Sequence, residues 1–185
     1  MSEKIKTNLE GYDNSWYRPG GAVKRLCWYI VSAIVFQNSL FPFSGLKVFF
    51  LRLFRARVGK GVVIKPRVTI KYPWFLTTGD HSWIGENVWI DNLAEVTIGN
   101  NVCLSQGSML LTGNHDYSKA TFDLMVKKIT LEDGVWIGAK AVVCGGVVCR
   151  DHSVLTAGSV ATANMEPYSI YQGNPAVKVR ERRIG

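Results

Sequence analysis

Long apolar runs are missing from these 185 residues: no stretch approaches the ~18 that a membrane-spanning helix requires. Met1–Glu10 mixes charges where a secretory leader would carry an apolar core. An integral membrane protein is therefore not expected, and a cytoplasmic one is. Cysteine is scarce and unpatterned. Cys27, Cys103, Cys144 and Cys149 form no C-x-x-C pair, so free or buried thiols are expected in place of a disulfide framework. Histidine is scarcer still, with only His81, His115 and His152, and no two of the histidines or cysteines have ligand spacing, so no metal is expected. The bias of a disordered or collagenous chain is absent too, since 47 % of residues are hydrophobic, 19 % are charged, and Gly and Pro number 18 and 6.

Acidic residues are outnumbered, 14 against 22 Lys and Arg, for a formal charge of +8. Such a surplus favours polyanionic partners: phosphates, nucleic acid or acidic lipid headgroups. The basic residues gather toward the two ends without an aromatic stacking platform between them, so nucleic acid is not expected.

Over most of the chain a helical period is also lacking, and a period of six takes its place. From Leu131 the frame reads LEDGVW, IGAKAV, VCGGVV, CRDHSV, LTAGSV, ATANME. Earlier units begin at 58, 64, 70, 76, 84, 90, 98, 104 and 110. Thirteen of the fifteen leading positions are Ile, Val or Leu, and the fifth position is Ala, Ser or Val in eleven. A helix repeats near 3.6 and an alternating strand near 2, so a strict six with one large and one small inward residue fits a short strand followed by a turn. Three such units close a triangular coil, each strand stacking at ~4.8 Å on the one below. Fifteen units predict about five coils. Glycines at 61, 107, 134, 146 and 158 share the fourth place, where the turn needs an unhindered backbone. The frame slips by two between 76 and 84 and between 90 and 98, and it breaks for a long excursion over 110–131. Insertions in a solenoid gather on one face, commonly the binding face.

Residues 23–57 hold two apolar stretches divided by Pro42, each reading as a helix of about three turns. They are expected to cap the open coil and bury its edge strand. An interfacial role, with Arg52, Arg55 and Arg57 on anionic lipid, is the second reading. The other end leaves the repeat at Pro167 and finishes with Lys178, Arg180, Arg182 and Arg183, either a solvated tail or a grip for phosphates.

The hexapeptide series, the TGNHDY loop, the GAKAVV and TAGSV units and the closing GNPA resemble the left-handed β-helix acyltransferases. Within these, SLFPFSGLKVFFLRLFRARVGKGVVIKPRVTIKYPW and WIDNLAEVTIG are similar to the colanic-acid-type exopolysaccharide O-acetyltransferases, and the likeness covers about residues 23–183. The resemblance implies an all-β chain: a left-handed parallel β-helix of about five coils over 58–166, with its active-site loop at 111–130. An N-terminal helical cap (1–57) and a short C-terminal tail (167–185) flank it. It also implies a homotrimer with acyl-CoA bound between subunits, and acetyl-CoA as co-substrate.

Transfer of an acetyl group from a thioester to a hydroxyl needs a base, because a neutral alcohol attacks poorly until its proton has somewhere to go. His115 stands in the only large insertion and matches the family's catalytic histidine, whereas His81 sits at a slip and His152 at a turn. Asp116 or a backbone carbonyl would fix its tautomer, and N–H groups at Gly138 and Ala139 would receive the oxyanion. The resemblance assigns Gly138, Ala139, Ala157, Gly158, Ser159 and Thr162 to the pantetheine arm. Several relatives carry a lysine where this sequence has Ala163, and Lys178 or Arg180 would take over its phosphate contact. Trp89, Asp91 and Asn92, with Asn114 and Asp116 on the loop, are the expected acceptor contacts; galactoside-type relatives have an asparagine at the position of Gly85. The expected activity is O-acetylation of a sugar hydroxyl on a surface polysaccharide or its precursor. The alternatives are a small soluble acceptor (a free sugar, serine or antibiotic) and a non-catalytic scaffold.

Overall fold

Strands of two or three residues cannot stand alone, so each hexapeptide must find its hydrogen bonds on the next coil. A computed structural model of the chain describes residues 4–185, and in it three parallel sheets form the sides of a triangular prism. The first sheet begins at Arg57–Val58, the second at Val63–Ile64 and the third at Thr69–Ile70, and successive coils add one strand to each. Inside, Ile64, Ile84, Leu104, Ile137 and Leu155 stack as one ladder and Ile70, Ile90, Leu110, Val143 and Ala161 as another. All are buried. At ~1.5–3 kcal/mol for each large aliphatic removed from water, these ladders are the main source of the prism's stability.

The register moves one slip. Thr78, not Leu76, stacks between Val58 and Ile98, so the first two extra residues fall between 70 and 78. Both insertions of two and the long excursion therefore lie on one edge, where the third sheet hands over to the first. The other two edges are tight turns of nearly constant length. Their left-handed residues form columns: Gly61, His81, Asn101, Gly134 and His152 on one edge, Arg67, Asn87, Gly107, Lys140 and Gly158 on the other. His81 and His152 thus serve a corner remote from His115. Along that first column Asp80, Asn100, Asp133 and Asp151 each accept a backbone N–H from the coil below, at 2.7–3.1 Å.

The C-terminal segment expected to be a tail is part of the sheet. Ser169–Gly173 adds a sixth rung to the second sheet, and Ala176–Glu181 returns antiparallel along it. Arg182 pins the end by donating to the carbonyls of Gly134 and His152.

At the opposite end the first rung has no strand beneath it, and two helices, α1 (Ala22–Val31) and α2 (Ser44–Leu53), cover it. Trp28 Nε1 donates to Ile70 O at 2.8 Å and Lys47 Nζ to Lys65 O at 2.7 Å, while the Ser44 hydroxyl accepts from Ile64 N. These contacts satisfy groups that an open edge would leave bare. Lys47 is fully buried, and burial pulls its pKa down to about 8. Ahead of α1, residues 4–21 form a strap along the inserted edge. Trp74 lies against Gly20 and under Lys24, Tyr17 Oη donates to Leu93 O at 2.6 Å, and Asn8 N to Ala120 O at 2.8 Å.

Candidate active site

The long excursion folds into a hairpin, Gly113–His115 against Leu124–Val126. Its tip is held by local bonds: Asp116 accepts from Ser118, and Asp123 from Lys119 and Thr121. His115 Nδ1 lies 2.9 Å from Phe122 O. A carbonyl can only accept, so Nδ1 carries the proton and Nε2 presents a lone pair. The Phe122 ring stacks on the imidazole, 4.4 Å between centroids at 8°, and Tyr12 of the strap also packs on the imidazole, 5.8 Å between centroids. Of the two candidates for fixing the tautomer, the carbonyl does so. Asp116 is engaged with Ser118, which together hold its carboxyl below the usual range.

Beneath the hairpin a cavity of about 210 Å³ is lined by Thr112, Gly113, Asn114, Met125, Lys127 and Cys144. A larger one, about 500 Å³, lies between α1 and the outer face of the third sheet, where Arg25, Tyr72, Trp89 and Asp91 meet. Asp91 is ion-paired with Lys71 at 3.0 Å and also faces Gly113, so this cavity reaches the root of the hairpin. Among the described residues no three His, Cys, Asp or Glu converge as metal ligands.

The chain is 39 % identical over 166 residues to the putative colanic acid biosynthesis acetyltransferase WcaF of Escherichia coli K12, a match covering 90 % of this chain and 91 % of that one. The chain belongs to the hexapeptide-repeat acetyltransferases. It is also 31 % identical to the galactoside O-acetyltransferase of the same organism, over 68 % of this chain and 64 % of the relative. In fold, the acetyltransferase matches the Vibrio cholerae hexapeptide-repeat acetyltransferase VCA0836 solved with acetyl coenzyme A, with TM-score 0.82 over 95 % of this chain and 96 % of that one at 23 % identity. The maltose O-acetyltransferase of Clostridium difficile 630 follows at TM-score 0.77 and 19 % identity, covering 98 % and 100 %. The fold is thus that of the left-handed β-helix acetyltransferases. No protein-family model matches the chain.

The residues expected to bind substrates in this acetyltransferase divide. Ala139, Ala157 and Gly158 lie on one edge of the third face, and Thr162 on its other edge, the one from which the hairpin rises. Three expectations need correction. Asn92 is fully buried: its Oδ1 accepts from Lys71 N and Tyr72 N, and its Nδ2 donates to Tyr72 O at 2.6 Å, leaving nothing for an acceptor. Ser159 is buried against Thr156 and accepts from Gly173 N, which anchors the sixth rung. Lys178 is held by Glu166 at 2.8 Å and Glu181 at 2.6 Å, so its charge is already neutralised; Arg180 has no such partner among the described residues.

Of the two amides expected to receive an oxyanion, Gly138 N is committed to Leu155 O at 2.7 Å, and only Ala139 N lacks a backbone acceptor. Ala157 N, one rung above, is free in the same way. Gly138 makes room for them, since a Cβ there would sit 2.5 Å from Ala157 N. Phe122 and Tyr12 have no periodic signal in the sequence, and only the closed hairpin and strap bring them to the imidazole.

Proposed function

We propose that the protein is an acetyl-CoA-dependent O-acetyltransferase that acts on a sugar hydroxyl of a surface polysaccharide or its precursor, with His115 as general base. The observation that carries this is the fixed tautomer: Nδ1–H points at Phe122 O, and Nε2 is free to take a proton. As the acceptor oxygen attacks the thioester carbon, Nε2 takes the hydroxyl proton. Ala139 N–H receives the developing oxyanion; a donor of this kind is worth ~3 kcal/mol in other enzymes. When the C–S bond breaks, the imidazolium returns the proton to the departing thiolate, and His115 ends neutral.

The upper third face is the floor of the donor slot, with Ala139, Ala157 and Gly158 along one edge and Thr162 along the other. The free amide of Ala157 suits an amide carbonyl of a pantetheine arm, and Arg180 suits its phosphates. Trp89 and Asp91, in the 500 Å³ cavity, offer an aromatic surface and a hydrogen-bonding group to a sugar, with Asn114 on the first strand of the hairpin. The names of the relatives, colanic acid and galactoside acetyltransferases, support this acceptor class.

A homotrimer completes the reading. The outward ladder of the first sheet is Thr77, Thr97 and Thr130, suited to water. The second carries Trp83, Cys103 and Trp136 and the third Trp89, Met109 and Val142, and their tryptophans are 43–59 % exposed. Two apolar faces on one prism ask for partners, and face two on face three is a heterologous contact that closes as a ring. A neighbour along the third face supplies the second wall of the slot.

Release of CoA thiol, followed with acetyl-CoA and a panel of sugar acceptors, tests the assignment. Acceptor-dependent release should fall ~10²–10⁴-fold in His115→Ala. Equal rates in the two proteins would refute the role of the imidazole. Turnover on serine or an antibiotic, with none on sugars, would refute the acceptor class.

A further inference from the structure

From Asn14 to Gly79 the sequence contains eleven Lys and Arg and no Asp or Glu. The remainder of the chain holds eleven basic against fourteen acidic residues, so the excess positive charge belongs wholly to this stretch. In the fold these 66 residues are the end of the strap, α1, α2, their connector, the first rung and the strand Leu76–Thr78 stacked on it, so they gather at one end of the prism. Lys47 is buried there, but Arg25, Arg52, Arg55, Arg57, Lys60 and Lys65 are exposed.

The same end is apolar on its outer side. Trp28, Phe36 and Leu51 turn inward and close the coil. Val23, Leu26, Ile30 and Ile34 form a second stripe along α1 and the turn after it, spaced three or four apart, and Leu46, Phe49 and Leu53 do the same on α2. These outer side chains are exposed, as are Leu40 and Phe43 between the helices, with Leu40 at 86 %. A soluble surface seldom gathers so many large apolar groups. Helices with an apolar stripe on the outer face as well as the inner one call for a second apolar phase beyond the one their inner face already occupies.

We propose that this end of the molecule docks on an anionic lipid bilayer, the outer stripes entering the headgroup–acyl boundary and the ring of cations meeting the acidic headgroups. The unbroken single sign of charge selects lipid over a protein partner. Protein interfaces deplete Lys and intermix signs at their rims, whereas a polyanionic surface rewards every cation and penalises every carboxylate. No helix among the described residues is long and apolar enough to cross a membrane, which agrees with docking at the interface. The consequence for the acceptor rests on the transferase reading, although the docking does not. His115 lies just beyond the third rung, about 10 Å along the prism from the first at ~4.8 Å per rung. That height presents the imidazole to a sugar carried on a lipid headgroup.

Flotation of the full-length protein with vesicles tests the docking. The protein should float with phosphatidylcholine vesicles containing about a third phosphatidylglycerol, should stay in the dense fraction with phosphatidylcholine alone, and should be released by ~0.5 M salt. The variant Ile30→Gln/Leu40→Gln/Phe49→Gln alters only exposed positions, and its bound fraction on anionic vesicles should fall at least tenfold while circular dichroism and His115-dependent CoA release on a soluble sugar stay as in wild type. Absence of wild-type flotation on anionic vesicles would overturn the proposal. So would equal flotation of the Gln variant, or a smaller oligomer for that variant with no lipid binding by wild type, which would mean that the stripes meet another copy of the chain. Loss of CoA release in wild type with flotation intact would count against the transferase reading alone.

Discussion

Asn92 shows how far the surroundings of one side chain decide its work. Beside Asp91, on the coil before the hairpin, its sequence position suits a sugar contact. Yet its side chain is fully buried and bonded to the backbone of residues 71 and 72. Asn92→Ala would leave the Tyr72 N–H unpaired, while Lys71 N and Tyr72 O keep their bonds to Ile90 O and Phe75 N, so urea denaturation should give a loss of about 2 kcal/mol, while the folded fraction keeps its KM for acceptor. Lys47 is the second such case. Burial lowers its pKa from 10.5 to about 8, so the unfolded chain binds more protons than the folded one between those values, and stability from this group rises with pH across that window. Below pH 8 the cost of the buried charge is fully present. The half-buried thiols of Cys103 and Cys144 and the buried thiol of Cys149 act in the opposite sense above pH 9, because desolvation raises their pKa. The clean measure is therefore the stability of wild type relative to Lys47→Met, which should increase between pH 7.5 and 9. A flat difference would mean that the ammonium is solvated.

Turns are where the repeating element is most sensitive. Gly138 and Gly158 look alike in the sequence, each beside a corner of the coil, but they need glycine for different reasons. At Gly138 a methyl group would strike the backbone of the rung above, 2.5 Å from Ala157 N. At Gly158 the space is open, and only its φ of +70° disfavours a side chain. Gly138→Ala should therefore lower stability by several kcal/mol and disturb the Ala139 amide, whereas Gly158→Ala should cost about 1 kcal/mol. Calorimetry of the two variants separates these cases, and similar melting temperatures would contradict the close stacking of rungs. The hairpin and the strap were the least legible elements. An excursion and its histidine stand out against a strict period, which is why His115 was visible. Nothing in residues 4–21 repeats, so their course along the inserted edge, with Tyr12 against the imidazole, comes from packing alone.

At the scale of the whole molecule the three sides of the prism differ in what they show to water, and the proposed ring rests on this asymmetry. Trp83→Glu/Trp136→Glu places two carboxylates on the second face, and light scattering should then find a species of 20.6 kDa, against three times that mass expected for the wild type. Thr97→Glu on the first face should leave the trimer intact, and a monomeric wild type would sink the ring. The first five rungs, the inward ladders of the second and third sheets and the place of the excursion were readable from the chain. A period of six with one large inward residue has only one way to bury its ladder, and that way does not depend on distant partners. The slip between 70 and 78, the sixth rung made from the expected tail, and the capture of Lys178 by Glu166 and Glu181 were not readable. The slip, the sixth rung and the Glu166 pair each depend on which residue lies opposite, 12 to 20 positions away, a choice made by stacking geometry and carrying no local signal. The sequence by itself determined that the chain must coil and where the coil is interrupted. Only the tertiary structure decided which polar groups remain free, because whether a donor is already spent depends on the neighbour that folding brings to it.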